Sequence, residues 1–211
     1  ARRLDERLHE RKRDILPDDL DRLLRCCGVC RAKFYLPAVV CLGAEHGASK
    51  QEVLSLEWRD INFGFQERGV IRFFRTKNRR ERTEFLMPRT REALLGWRRH
   101  LVWKRRRTNV GVPRSDRVFC RVDGTPIKRF DKSWHAALEA AGIGDFHFHD
   151  LRHTFGSNLL LAGADLKDVK EMLGHRHISM TDRYTHLSGE RKSDVQDRLA
   201  RHYCVGAVSS G

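Results

Sequence analysis

No stretch of this sequence approaches the roughly 18–20 consecutive apolar residues that a membrane-spanning helix needs. The first residues, Ala1 to Lys12, are mostly polar and charged, without the basic-then-apolar order of a secretory signal. A soluble, intracellular protein is the expectation. The first residue is Ala1, not methionine, so a piece of a longer protein is expected. Internal repeats and low-complexity tracts are absent too, which argues against a solenoid or a disordered chain. Six cysteines stand at positions 26, 27, 30, 41, 120 and 204. Their spacing is irregular, and Cys27-Gly-Val-Cys30 has no second C-x-x-C to complete a zinc ribbon. Buried free thiols are expected instead of disulfides or a structural metal.

What the chain does have is positive charge. Its 211 residues carry 42 Lys and Arg against 28 Asp and Glu, a formal net charge of +14. With 40% hydrophobic and 33% charged residues it can bury a core and remain soluble. The basic clusters Arg79-Arg80, Arg98-Arg99 and Lys104 to Arg107 are spread along the sequence. Such a distribution favours a polyanionic partner, because each neutralised phosphate releases condensed counterions. A merely solvated basic surface is the plainer alternative.

The periodicity predicts a largely helical domain. Pro17 followed by Asp18-Asp19 marks a helix start, and Leu20, Leu23 and Leu24 supply an apolar face. Helices are expected over about 35–46 and 49–56, separated at Gly47. Val70 to Phe74 and Thr83 to Leu86 have strand character, with the basic segment Thr76 to Arg82 as the tip of a β-hairpin. Helical spacing returns at Ala93, Leu94, Trp97 and Leu101, and again at Phe130, Trp134 and Leu138. Further helices are expected over 149–162, 165–173 and 179–187. Gly163 and Gly174 mark two of their ends, and Ser179 is a candidate N-cap. The expected fold class is mainly α with a small antiparallel β-sheet.

Chemistry concentrates between His149 and Tyr184. In His149-Asp150-Leu151-Arg152 the imidazole and guanidinium share a helix face at three-residue spacing. That pair suits a phosphate: arginine offers a donor fork, and histidine moves a proton near neutral pH. Leu173-Gly174-His175 and Arg183-Tyr184-Thr185-His186 follow. A phenol such as that of Tyr184 attacks phosphorus once its charge is stabilised. His149 and His153 are also four apart, but Asp150 replaces the glutamate of a zinc protease motif and Arg152 adds charge beside the metal, so no metal site is expected.

Together these segments resemble the tyrosine recombinase (phage integrase) family. Leu56-Glu57-Trp58-Arg59-Asp60-Ile61 and Thr76-Lys77-Asn78 extend the resemblance upstream, in family order, from about residue 18 to 190. The resemblance implies a tyrosine-type DNA strand transferase working through a 3′-phosphotyrosyl intermediate without a cofactor. It implies Tyr184 as nucleophile, Arg152 as stabiliser of the transition state, His149 as assisting proton transfer from the tyrosine, His175 as a hydrogen-bond donor to a phosphate oxygen and Lys77 as general acid. Lys77, Arg79, Arg80 and Lys50 are expected to contact DNA. It further implies double-stranded DNA as partner, a tetramer on that DNA, and a cytoplasmic, nucleoid-associated setting in a bacterial or phage-infected cell. Residues 1–17 are expected to be a linker from a further DNA-binding domain, 18–189 the catalytic domain, and 190–211 a C-terminal helix and tail exchanged between protomers.

One position departs from the pattern. The family's G-x-R-x-x-E box reads Gly47-Ala48-Ser49-Lys50-Gln51-Glu52, so Ser49 stands where an arginine is expected and Glu52 remains in register. Lys50 lies about 100° further round a helix. Three explanations are open: a naturally impaired domain, a site that uses Lys50 or another base, and a chain mutated to trap DNA complexes. Ser49 also feeds a rival class, a non-catalytic DNA-binding protein of the same fold; a type IB topoisomerase, which shares the chemistry, is a third.

Overall fold

The computed structural model describes residues 14–28, 32, 34–75, 80–108 and 116–174. In chain order these form α1 (Pro17–Cys27), α2 (Leu36–His46), α3 (Lys50–Ser55), a short 3-10 turn (Trp58–Asp60), β1 (Ile61–Asn62), β2 (Val70–Arg75), β3 (Arg80–Phe85), α4 (Pro88–Thr108), α5 (Asp131–Ala140), α6 (Asp150–Leu161) and α7 (Leu166–Leu173). The class is the expected one, helical with a three-stranded antiparallel sheet in the order β1-β2-β3. Among the described residues, no helix is long and apolar enough to cross a membrane.

The centre of the molecule is α2. Its sequence is apolar on every side, so it buries nearly all its residues rather than one stripe. Helices α4 and α6 pack against it, while α1 lies against α5. Close approach of α6 depends on Gly43: a Cβ there would sit 2.8 Å from Leu151 Cδ1 and 3.1 Å from Phe148 Cζ. The helix stops at Gly47, whose φ of 56° is a left-handed conformation that closes the C-terminus. A second, smaller cluster of Phe155, Leu160, Val169 and Leu173 joins α6 to α7, and α7 in turn touches β3.

Several boundaries move. Ile15 is buried in the main core and its amide donates to Thr154 Oγ1 at 3.1 Å, so packing begins inside the segment expected to be linker. Pro17 opens α1 at the position where its missing N–H costs nothing. The long basic helix α4 extends well beyond the apolar residues that announced it, held at Trp97 by an Nε1 hydrogen bond to the Val118 carbonyl at 2.7 Å. Strand β3 starts at Arg80, not after Arg82, so two of the arginines assigned to the hairpin tip belong to the sheet. Cys27, Cys41 and Cys120 are buried and Cys26 is half-buried. Burial and the neighbouring Glu45 push the Cys41 thiol well above the ordinary range, which makes it an inert core residue.

Candidate active site

Arg152 is the natural starting point, because a guanidinium that is 3% exposed has to be explained. It leaves the first turn of α6 and reaches across the gap between α2 and α7. One terminal nitrogen, Nη1, donates to the carbonyl of Gly47 at 2.6 Å. The other, Nη2, donates to the carbonyl of Leu173, in the last turn of α7. The carboxylate of Glu52 lies 3.7 Å from Nη1. Two helix C-termini therefore aim their carbonyl ends at one cation, the favourable sense for a helix dipole.

Glu52 comes from α3, and Ser49 builds its position. Ser49 is the N-cap of that helix: its Oγ accepts from the Glu52 amide at 3.3 Å, and its own amide donates to Glu52 Oε2 at 2.7 Å. This reciprocal capping box satisfies two of the orphan donors at the helix start. Serine at the position where an arginine was expected thus does structural work, and its side chain carries no charge. Burial alone would raise the Glu52 carboxyl. The charge of Arg82, the Ser49 hydrogen bonds and Arg152 outweigh it and hold the group below the usual carboxylate range.

Arg82 was missed by sequence reasoning as a site residue. Its guanidinium, 9% exposed, donates from Nη1 to Glu52 Oε1 at 2.7 Å, from Nε to Glu84 Oε1 at 2.8 Å, and from Nη2 to the His46 carbonyl at 2.7 Å. Glu84 Oε2 is 2.8 Å from His46 Nδ1. Alternation along β3 turns Arg82 and Glu84 to one face, and Phe73, directly opposite on β2, lies 4.2 Å under the guanidinium. A charged residue inside a hairpin tip looks solvated in sequence. Only the register of β2 against β3 reveals that this one points inward.

Lys50 goes elsewhere. Its ammonium pairs with Asp131 at the start of α5 and lies 5.4 Å over the Phe130 ring. That hydrogen bond, together with the lysine's charge, lowers the Asp131 carboxyl. The structure therefore ties Lys50 to α5. His149 is exposed at the N-cap of α6, its ring edge-on to His153 with centroids 5.0 Å apart. The side chain of Arg80, and all of Lys77, Arg79, His175 and Tyr184, lie outside the described residues, as do the helix expected over 179–187 and the C-terminal segment 190–211. Among the described residues no group of His, Cys, Asp and Glu is arranged to hold a metal ion.

Comparisons with known proteins place this arrangement. Residues 13–191 match the model of the phage integrase family. The chain is 30% identical over 177 residues to the type 1 fimbriae regulatory protein FimE of Escherichia coli K12, covering 82% of this chain and 84% of FimE. It is 34% identical over 164 residues to the tyrosine recombinase XerD of Pseudomonas aeruginosa, covering 76% of this chain and about half, 51%, of XerD. The fold superposes with a TM-score of 0.69 on the Tn1549 transposon integrase in complex with transposon right-end DNA, at 19% identity, over 91% of this chain and 67% of that one.

Proposed function

This chain belongs to the phage integrase family, and we propose that it is the strand-cutting part of a site-specific DNA recombinase. Tyr184 attacks the scissile phosphate; its phenolic oxygen bonds to phosphorus as the bond to the 5′-oxygen breaks. The products are a 3′-phosphotyrosyl link and a free 5′-hydroxyl. His149 assists removal of the phenol proton, and Lys77 supplies a proton to the departing 5′-oxygen. Arg152 and His175 donate to the non-bridging oxygens as charge builds there. The 5′-hydroxyl of a partner strand then reverses both transfers. The phosphodiester energy is conserved, so the cycle needs neither ATP nor a metal. Residues 18–189 carry this chemistry, 1–17, packed onto it from Ile15 onward, link it to a further DNA-binding domain, and 190–211 pass between protomers of a tetramer on DNA in the bacterial cytoplasm.

The observation that carries this reading is Arg152: a buried guanidinium held by two backbone carbonyls and beside a carboxylate, on the helix whose N-cap is His149. The +14 net charge and the DNA complex of the related integrase support double-stranded DNA as the partner. Ser49 favours a second reading, a DNA-binding protein of the same fold that does not cut.

Pooled nicked duplexes of randomised sequence separate these readings, with covalent adducts captured under denaturing conditions and sequenced. The expected result is an adduct confined to a subset of sequences and lost in Tyr184→Phe. An adduct formed only by Ser49→Arg identifies an impaired recombinase. DNA bound without an adduct in either chain rejects the enzyme in favour of the binding module. Site-independent plasmid relaxation by the monomer would instead mark a topoisomerase.

A further inference from the structure

We infer that Arg82 is a positioning residue of this site, holding the Glu52 carboxylate from β3 and so setting how that carboxylate meets Arg152. The inference rests on the strand-transfer reading above.

The geometry leads there in three steps. Glu52 is 2% exposed, and its two oxygens face different cations: Oε1 faces Arg82 at 2.7 Å, and Oε2 faces Arg152 at 3.7 Å. Glu84, also buried, faces Arg82 from the other side. Two guanidiniums therefore meet two carboxylates, and the pocket is balanced. If Arg82 is removed, Glu52 and Glu84 lose the cation they share, and among the described residues this cluster becomes more negative by one charge where a phosphate diester has to bind.

The second consequence is positional. At 3.7 Å the Glu52–Arg152 contact is longer than a charge-assisted hydrogen bond, which runs at roughly 2.7–2.9 Å. Arg82, at 2.7 Å, makes the tighter claim on that carboxylate. The Ser49 amide holds the other oxygen, also at 2.7 Å, so Arg82 and Ser49 together fix the carboxylate. Without Arg82, Glu52 turns toward Arg152; Arg82 thus sets the approach of Glu52 to Arg152 while touching no substrate itself. Ser49 and Lys50 do not replace it, since one caps α3 and the other pairs with Asp131.

The test uses the full chain, a nicked duplex recovered from the adduct pool, and single-turnover adduct formation at saturating DNA. Arg82→Gln is expected to slow adduct formation roughly 10²-fold, the scale of misplacing a reacting group by about 1 Å, with the half-saturating DNA concentration little changed. Arg82→Lys, which keeps the charge, recovers most of that loss. Adding Glu52→Gln to Arg82→Gln also recovers rate, because it removes the uncompensated carboxylate; a purely structural role predicts a further decline. Thermal melts verify folding, and if Arg82→Gln does not fold, Arg82→Lys and the double variant decide. Wild-type rates in Arg82→Gln, equal losses in the Lys and Gln variants, or a double variant slower than the single overturn the inference while the recombinase reading stands. An adduct that requires Ser49→Arg overturns it as well, since Arg82 would then not suffice. No adduct in any chain overturns both.

Discussion

Ser49 and Glu52 hold each other at the start of α3: each backbone amide donates to the other's side chain, at 2.7 Å and 3.3 Å. Replacing Ser49 by alanine removes one half of this exchange. A stability loss of about 1 kcal/mol is expected, read as a lower urea midpoint with an unchanged denaturant slope. A loss under a few tenths would mean that the cap contributes nothing to the folded state.

Glu52 should also leave a mark on the acid limb of stability. Its carboxyl titrates below its ordinary value in the folded protein, so the unfolded chain takes up the proton first as pH falls. Its contribution is complete above the unfolded value, about 4.3, and is lost as pH drops through the lower folded value. Glu52→Gln should therefore be less stable at neutral pH and show a shallower decline below about pH 4.3. Parallel curves for the two proteins would reject this assignment.

Gly47 carries a heavier structural demand. With φ at 56°, a Cβ would stand 2.6 Å from Phe155 Cδ1 and 2.8 Å from Leu173 Cδ2. Left-handed backbone costs about 1–2 kcal/mol for a residue with a side chain, and overpacking adds about 1–3 kcal/mol. Gly47→Ala should lose roughly 2–5 kcal/mol in equilibrium denaturation. Near-native stability would show that Phe155 and Leu173 yield freely.

The Lys50–Asp131 pair is the opposite case. Both side chains are close to half exposed, and such pairs contribute about 0.2–1 kcal/mol. A double-mutant cycle with Lys50→Ala and Asp131→Ala should give a coupling inside that range, shrinking in high salt. A coupling above about 2 kcal/mol would mean that the contact is far better shielded than its exposure implies.

Much of the fold was legible because it rests on local signals. The apolar centre of α2, the glycines that end α2 and α7, and the strand character of Val70 to Phe74 are written residue by residue. Arg152 and Glu52 were legible as well, through motif spacing. Arg82 was not, since its meaning depends on which residue of β2 it faces and on α3 lying behind that strand. Ser49 was read as a lost charge; its gain, the cap, appears only when the amides of α3 are followed to their partners. Lys50 looked like a replacement cation until the start of α5 was seen to lie beside it.

Arg152 is gripped by the carbonyls of Gly47 and Leu173, not by their side chains. An alanine scan would therefore pass over both of these contacts. A substitution at Leu173 that preserves the helix keeps its oxygen in place, so any loss it causes reports the buried side chain and not the carbonyl. Amide-to-ester replacement of the following linkage, which weakens the carbonyl as an acceptor without altering any side chain, is the kind of change to which this site is exposed.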